Sequence, residues 1–259
     1  MTIAREGWAG RHVVVTGAGK GIGRAIALHF AGLGAQVHGV DRNAQALQLV
    51  SEAATAAGGR FLAHRVDLAD RADADRMADT LADVLEGRCD TLVNNVGISI
   101  LRPFAECDDA ALDALFAVNF VAAFRLTRRL VPALQAGGRG AVVNIASELA
   151  LIGQAGYSAY SATKGAILAW SRTLAVELAP TGIRVNAVCP GPVDTSLLGA
   201  DFAATGNAGA ARSAEIAAVP LGRLGVPADI AGVVAFLASD AAAFVTGAVW
   251  TVDGGKTAA

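Results

Sequence analysis

Residues 12–23 read HVVVTGAGKGIG, a run of β-branched residues that leads directly into a cluster of glycines. The valines predict a buried strand, and the apolar segment after Gly23 predicts a helix. Glycines at such a strand-to-helix turn let the backbone approach a ligand closely, and the free N–H groups at the start of a helix attract anions. The stretch therefore predicts a site for the pyrophosphate of a dinucleotide cofactor.

The spacing of these glycines is G-x-x-x-G-x-G, through Gly17, Gly21 and Gly23. The more general fingerprint G-x-G-x-x-G is not met, because its third glycine would fall on Ile22. A glycine cluster is also typical of an ordinary tight turn, but its position after the first strand, with a carboxylate after the second, favours cofactor binding. The cofactor contacts predicted in this turn are Gly17, Gly19, Lys20, Gly21, Ile22 and Gly23.

That carboxylate is Asp41, at the end of QVHGVD. An acidic side chain there can accept hydrogen bonds from both hydroxyls of the adenosine ribose, and it repels a 2′-phosphate, so NAD is favoured over NADP. Lys20 and Arg42 keep NADP open, since either could contact a 2′-phosphate. Asp41 could also act as a helix N-cap, and Asp67, after the third predicted strand, could contact adenine or cap a helix.

Short β-branched runs alternate with Ala- and Leu-rich segments along the whole chain. The alternation predicts a parallel sheet covered by helices on both faces, in one domain over residues 1–259. Segment 196–216, rich in Ala and Gly, is the irregular piece and predicts a mobile lid over a site at the strand C-termini. The predicted strands are residues 12–16, 36–40, 60–66, 91–94, 141–146, 183–188 and 248–252.

Composition excludes several classes of protein. The 259 residues are 54% hydrophobic and 17% charged, with a net charge of −2. No run of Lys or Arg suggests nucleic acid or anionic lipid as a partner. The apolar stretch 241–252 is shorter than the ~20 residues of a membrane span, and residues 1–10 lack the apolar core of a secretory signal. We expect a cytoplasmic protein with reduced thiols at Cys89, Cys107 and Cys189, which binds a small molecule.

Both tyrosines of the chain lie in GYSAYSATKGAI, residues 156–167. If this segment is helical, Tyr160 and Lys164 are i and i+4 on one face, whereas Tyr157 has no cation at that spacing. A cation about 5 Å away lowers the pKa of a phenol from ~10 towards ~8. Such a phenol can exchange a proton with the oxygen of an alcohol or ketone.

Ser147 ends the fifth predicted strand, thirteen residues before Tyr160. Its hydroxyl can open onto the same crevice and hydrogen-bond a substrate oxygen. The four histidines show no H-x-x-H or H-E-x-x-H spacing, so no metal site is predicted. GYSAYS does not match the G-x-S-x-G of hydrolases.

Together these motifs resemble the classical short-chain dehydrogenases/reductases over essentially the whole chain. The matching stretches are TGAGKGIG (16–23), NNVG (94–97, where the family usually has Ala in place of Val96), AVNF around Asn119, YSATK (160–164) and PGPVDT (190–195). The resemblance implies a Rossmann-type, doubly wound fold with a seven-stranded parallel sheet, and a homotetramer or homodimer. It also implies hydride transfer between a nicotinamide and the substrate carbon, without a metal.

The resemblance assigns roles to individual residues. Tyr160 would be the general acid/base, Ser147 would polarise the carbonyl, Lys164 would lower the tyrosine pKa and hold the nicotinamide ribose, and Asn119 would maintain a water-linked proton path. The further cofactor contacts would be Asp67, Leu68, Asn95, Val96, Gly97, Pro190, Gly191, Val193 and Thr195. The substrate pocket would be formed by Ser147, Glu148, Leu149, Leu151, Tyr157, Pro192 and the lid.

The leading hypothesis is an NAD(H)-dependent oxidoreductase acting on a small secondary alcohol, a diol or the matching ketone. The alternative is an NADPH-dependent 3-oxoacyl-[acyl-carrier-protein] reductase, which the pattern also resembles. Such reductases often carry basic residues that hold the acidic carrier, and the aligned positions here are Pro132 and Val176. Other basic residues lie nearby, at Arg125, Arg128, Arg129 and Arg172.

A third hypothesis is a dinucleotide sensor without turnover. The complete set of catalytic residues argues against it. Glu148 could recognise a second substrate hydroxyl or simply be solvated.

Overall fold

A parallel sheet forms the centre of the computed structural model, which describes residues 7–85 and 87–259. Within those residues the strands are β1 (His12–Thr16), β2 (Gln36–Asp41), β3 (Arg60–Arg65), β4 (Thr91–Asn94), β5 (Ala141–Ile145), β6 (Arg184–Pro190) and β7 (Val249–Val252). Their order in the sheet is β3-β2-β1-β4-β5-β6-β7. The order reverses between β1 and β4, and such a switch point leaves a ligand-binding crevice beyond the carboxyl ends of the strands.

Helices cover both faces of the sheet, which confirms the predicted doubly wound α/β fold. The α-helices are α1 (Gly21–Leu33), α2 (Ala44–Ala56), α3 (Arg71–Val84), α4 (Asp109–Phe116), α5 (Ala122–Ala136), α6 (Ser158–Leu178), α7 (Ser196–Ala204), α8 (Ala208–Ala217) and α9 (Pro227–Ala238). Helices α1, α2 and α9 bury residues such as Phe30, Leu47 and Val234 on one face. Helices α3, α5 and α6 cover the other face. The valines of β1 are fully buried, as expected for a strand enclosed on both sides.

The structure corrects the prediction for segment 196–216, which is not irregular but forms α7 and α8. Alanine is the strongest helix former, and both helices have a side-chain N-cap. Thr195 Oγ1 accepts from Leu198 N–H at 3.4 Å, and Asn207 Oδ1 accepts from Ala210 N–H at 3.1 Å. The glycines of the segment suggested irregular backbone, but only Gly206, between the two helices, has a positive φ, of 79°.

Among the described residues, the continuous helical stretch Asp109–Ala136 is long and apolar enough to span a membrane by length and composition alone. Core helices of folded domains pass the same test. Here the stretch packs Leu126, Leu130 and Leu134 against the sheet. The expectation that no secretory signal is present concerns residues 1–10, of which 1–6 lie outside the described residues.

Candidate active site

A cleft of about 530 Å³ runs along the carboxyl ends of the strands. It collects nearly all of the residues that the sequence predicted for the cofactor and the substrate. Gly19, Gly23 and Asn119 do not line it, and Leu151 lies outside it, 44% exposed. The predicted residues that line it are Gly17, Lys20, Gly21, Ile22, Asp41, Arg42, Asp67, Leu68, Asn95, Val96, Gly97, Ser147, Glu148, Leu149, Tyr157, Tyr160, Lys164, Pro190, Gly191, Pro192, Val193 and Thr195.

The turn between β1 and α1 requires glycine at several positions. Gly17 and Gly21 have φ angles of 65° and 54°, in the left-handed region that favours glycine. A Cβ on Gly23 would lie 2.0 Å from the carbonyl oxygen of Gly17, so this position also requires glycine. The first turn of α1 has no side-chain cap and no acidic residue. The turn therefore fits a pyrophosphate, whose oxygens can accept hydrogen bonds from its free N–H groups.

Asp41 is held at the edge of the cleft by two backbone hydrogen bonds. Its Oδ2 accepts from Gly19 N–H at 3.0 Å and its Oδ1 accepts from Asn43 N–H at 3.0 Å. A Cβ on Gly19 would lie 2.9 Å from the same Oδ2, so Gly19 allows this approach. Each carboxylate oxygen keeps a further lone pair for a ligand hydroxyl. Arg42 and Arg65, both exposed, line a shallow depression next to Asp41.

The residues after β4 are joined to the glycine turn. Thr16 Oγ1 accepts hydrogen bonds from the N–H groups of Asn95 at 2.9 Å and Val96 at 3.1 Å. The side chain of Asn95 donates to the carbonyl oxygen of Thr16 at 3.0 Å. Asn95 therefore lines the cleft while its side chain holds the two strand ends together.

Ser147, Tyr160 and Lys164 meet in the cleft, although Ser147 follows β5 and the other two residues lie on α6. Ser147 is hydrogen-bonded to the Tyr160 phenol. The Lys164 Nζ lies 5.7 Å from the centre of the Tyr160 ring and donates to the carbonyl oxygen of Ile145 at 3.0 Å. The i, i+4 spacing on α6 thus places the cation beside the phenol, as the sequence indicated.

Asn119 lies in a π-helical turn, Ala117–Val121, between α4 and α5. Its Oδ1 accepts from Ile98 N–H at 2.8 Å, and its Nδ2 donates to Ile98 O at 3.0 Å and to Thr163 Oγ1 at 3.1 Å. Asn119 therefore ties the segment after β4 to α6, the helix that carries Tyr160 and Lys164. Asn119 positions these segments from a place just outside the lining of the cleft.

The lowered phenol pKa that the sequence predicted is not found. Burial raises the pKa of Tyr160 to about 12, and the hydrogen bond with Ser147 only partly opposes this effect. Burial also lowers the pKa of Lys164 to about 8. The reason is desolvation, which disfavours the charged form of both groups and which i, i+4 spacing does not reveal.

With this geometry in place, comparison with known proteins decides the family. A family model described as enoyl-(acyl carrier protein) reductase matches residues 17–257. The cis-4-hydroxycyclohexanecarboxylate dehydrogenase of Sinomonas cyclohexanicum is 39% identical over 254 residues, which cover 98% of this chain and 99% of the relative. The chain belongs to the short-chain dehydrogenase/reductase family.

Other members of this family carry different activities. A solved structure from Beutenbergia cavernae, described provisionally as an NAD(P)-dependent gluconate 5-dehydrogenase with bound NADP, is 41% identical. It has a TM-score of 0.90, and the match covers 97% of this chain and 98% of that one. The 3-oxoacyl-[acyl-carrier-protein] reductase of Thermotoga maritima is 34% identical over 248 residues, or 96% of this chain and 97% of the relative. Short-chain dehydrogenases/reductases act on hydroxyl or ketone groups with NAD or NADP.

The substrate side of the cleft in this short-chain dehydrogenase/reductase also contains residues that sequence reasoning missed. Tyr157 is buried, and its ring meets that of Tyr160 edge-on with 6.0 Å between centres. Burial and the neighbouring Asp201 carboxylate both raise the pKa of Tyr157. The available signal was that Asp201 and Glu215 are the two acidic residues of the Ala-rich segment 196–216. The predicted segment 196–216 does contribute to this side of the cleft, through Leu197, Leu198, Asp201 and Glu215, which the sequence did not single out. Ser99 and Gln154 are lining residues of this side that the sequence analysis missed.

Proposed function

We propose that this protein is an NAD(H)-dependent oxidoreductase that interconverts a small secondary alcohol or diol and the corresponding ketone. The observation that carries the proposal is the convergence of Ser147, Tyr160 and Lys164 in the same cleft as the glycine turn and Asp41. A phenol, a hydroxyl and an ammonium group beside a dinucleotide site suit proton exchange with a carbinol or carbonyl oxygen.

The mechanism assigns one task to each side chain. A nicotinamide cofactor, when bound, would accept a hydride from the carbinol carbon in oxidation or donate one to the carbonyl carbon in reduction, and its oxidised form would add a positive charge. During oxidation Tyr160 takes the proton of the substrate hydroxyl, and during reduction it returns a proton to the carbonyl oxygen. Ser147, which is hydrogen-bonded to Tyr160, holds the same oxygen. Lys164 is fixed by Ile145 and favours the phenolate through its charge.

Asp41 supports NAD as the preferred cofactor. Its carboxylate is fixed by Gly19 and Asn43, so it cannot turn away from a 2′-phosphate without losing two hydrogen bonds. Repulsion between two anions opposes NADP there. The positive charges of Arg42 and Arg65, which lie next to Asp41, favour NADP instead. The related structure from Beutenbergia cavernae contains bound NADP.

The rival activity is reduction of a 3-oxoacyl group on an acyl carrier protein, as in the Thermotoga maritima relative. Arg128 and Arg172 are exposed on α5 and α6 and could contact an acidic carrier. Such reductases often have basic residues at the positions of Pro132 and Val176. Both residues are exposed here, Val176 to 76%. An apolar side chain there favours a free small molecule over the carrier. The test compares kcat/KM for acetoacetyl carrier protein with NADPH and kcat/KM for free alcohols with NAD. A higher value for the carrier-bound substrate would favour the reductase instead.

We also propose that the chain acts in the cytoplasm as a homotetramer or homodimer. Phe120, Phe124 and Trp170 form an aromatic cluster where α5 meets α6, with 5.8 Å between the ring centres of Phe124 and Trp170. Phe124 is 40% exposed. A second copy of the chain would cover this apolar surface.

The test of the activity is a Tyr160→Phe variant, with Tyr157→Phe as the matched control. Secondary alcohols and diols are screened with NAD while the absorbance of the reduced cofactor is followed. Tyr160→Phe should lower kcat by roughly 10²- to 10⁴-fold, the range typical of general acid–base catalysis, and should still bind NADH. Tyr157→Phe should keep most of kcat. Unchanged turnover in Tyr160→Phe would refute the mechanism.

A further inference from the structure

A buried ionic cluster lies at the substrate end of the cleft. Lys256 Nζ donates to Glu148 Oε1 at 2.9 Å and to Glu215 Oε2 at 2.7 Å. The side chains of Lys256, Glu148 and Glu215 are only 10%, 6% and 15% exposed. Gln154 donates to the second oxygen of Glu215 at 2.9 Å, so both carboxylate oxygens of Glu215 have partners. The cluster fixes Glu148 immediately next to Ser147.

Within the described part of the chain, the second oxygen of Glu148 has no hydrogen-bond partner although it is buried. Leaving a buried acceptor unpaired destabilises the folded protein, and more so when the group is charged. Glu148 lines the cleft together with Ser147 and Tyr160, and its charge acts on the Tyr160 phenol. A substrate held by Ser147 and Tyr160 is therefore the natural source of the missing donor.

The charge balance indicates what kind of donor is missing. Lys256 already pairs with Glu148, so Glu148 lacks a hydrogen bond rather than a counter-charge. An additional anion next to Glu148 would meet three carboxylates, those of Glu148, Glu215 and Asp201, where Lys256 already pairs with two of them. Another lysine, Lys164, lies beside the Tyr160 ring. A neutral hydroxyl group satisfies the free oxygen without adding charge.

We propose that Glu148 Oε2 accepts a hydrogen bond from a second hydroxyl of the substrate, on the carbon next to the reacting carbinol. The substrate class is then a vicinal diol, or the matching α-hydroxyketone, and Glu148 is the residue that determines this specificity. The inference rests on the proposed function, because it takes Ser147 and Tyr160 as the groups that hold the reacting oxygen. It narrows the secondary alcohols of that proposal to those with a neighbouring hydroxyl.

The test compares four substrates of one shape: butan-2-ol, butane-2,3-diol, 3-aminobutan-2-ol and lactate. The value of kcat/KM with NAD should be ten- to a hundred-fold higher for the diol than for butan-2-ol, the range expected for a hydrogen bond to a charged group. Lactate should be the poorest substrate. Equal kcat/KM for the diol and butan-2-ol, or a preference for the amine or for lactate, would overturn the proposal.

Two variants separate recognition from folding. Glu148→Leu should reduce the ratio of kcat/KM for the diol to kcat/KM for butan-2-ol to within about threefold of unity. This ratio is the readout because a general loss of activity lowers both values equally. Lys256 keeps Glu215 as a partner in that variant. Glu52→Leu, the same substitution on the exposed surface of α2, is the control and should keep the full preference. An unchanged ratio in Glu148→Leu would exclude Glu148 as the determinant.

A binding measurement decides the inference even if the proposed activity fails. Tyr160→Phe saturated with NAD is titrated with each compound, and the shift in thermal unfolding is recorded. Butane-2,3-diol should bind at least tenfold more tightly than butan-2-ol, and the difference should disappear when Glu148→Leu is added. Absence of turnover with every alcohol would refute the proposed function, whereas equal binding of the two compounds would refute the role of Glu148.

Discussion

Lys256, near the C-terminus, donates a hydrogen bond of 2.7 Å to Glu215 in α8. The same Nζ donates to Glu148 beside Ser147, so one cation joins the C-terminal segment and α8 to the turn that follows β5. A residue far from the other two in sequence thus helps to set the shape of the substrate site.

Removing this cation should loosen helix α8. In Lys256→Met two nearly buried carboxylates lose their partner, and breaking a buried ion pair from one side costs roughly 3 kcal/mol. We expect lower stability in urea unfolding and faster amide exchange in α8. Lys256→Arg, which keeps the charge, should restore most of both. Unchanged amide exchange in α8 of Lys256→Met would show that the cluster does not hold this helix in place.

Replacing Asp41 should relax the choice of cofactor. In Asp41→Ala the repulsion of a 2′-phosphate disappears, so kcat/KM with NADP should rise at least tenfold relative to that with NAD. Steady-state kinetics with both cofactors measure this ratio. Arg42→Ala should change the ratio in the opposite direction. If the wild-type protein already prefers NADPH, the NAD assignment is wrong.

The pH dependence of activity should differ between the two reaction directions. Oxidation needs the unprotonated phenol, and burial raises the pKa of Tyr160 to about 12, so kcat/KM for the alcohol should increase with pH into the alkaline range. Reduction needs the protonated phenol and should change little near neutral pH. Initial rates between pH 6 and 10 in both directions test this, and a fall in oxidation rate from pH 7 to 9 would contradict it.

A row of histidines crosses the sheet and should make the fold sensitive to acid. His38 Nε2 lies 3.1 Å from His12 Nδ1, and His38 Nδ1 lies 3.2 Å from His64 Nε2. Burial, followed by the charges of His64 and His12, lowers the pKa of His38 to about 4. Because the unfolded chain binds this proton more tightly, the stabilisation is complete above pH ~6.5 and is lost as the pH falls towards 4.

This loss of stability can be measured by urea unfolding at pH 7 and at pH 5. Over that interval the wild-type protein should lose about 2 kcal/mol more free energy of unfolding than His38→Leu, which cannot take up the proton. Equal losses in the two proteins would show that the histidine row does not govern acid stability.

A charge on the aromatic surface between α5 and α6 should disrupt assembly. Phe124→Glu introduces a carboxylate where we propose that a second copy packs, so sedimentation velocity should show a smaller species than for the wild-type protein. Leu49→Glu, on the exposed face of α2, is the control and should leave the size unchanged. An unaltered sedimentation coefficient for Phe124→Glu would place the interface elsewhere.

Much of the site was readable from the sequence because its signals are local. The glycine turn and the i, i+4 pair Tyr160 and Lys164 depend on residues that are neighbours in the chain. Asp41 and Ser147 were predictable because both follow parallel strands, whose carboxyl ends share one edge of the sheet. The helices of segment 196–216 were missed because the glycines were given more weight than the alanines and the caps.

The amino-acid sequence by itself therefore determined the doubly wound fold, the cofactor turn and the candidate acid/base. Tertiary structure decided what depends on burial and on distant contacts. The pKa of Tyr160 follows from desolvation, which no spacing reveals. The cluster of Glu148, Glu215 and Lys256 joins residues up to 108 positions apart, and only the folded chain brings their charges together.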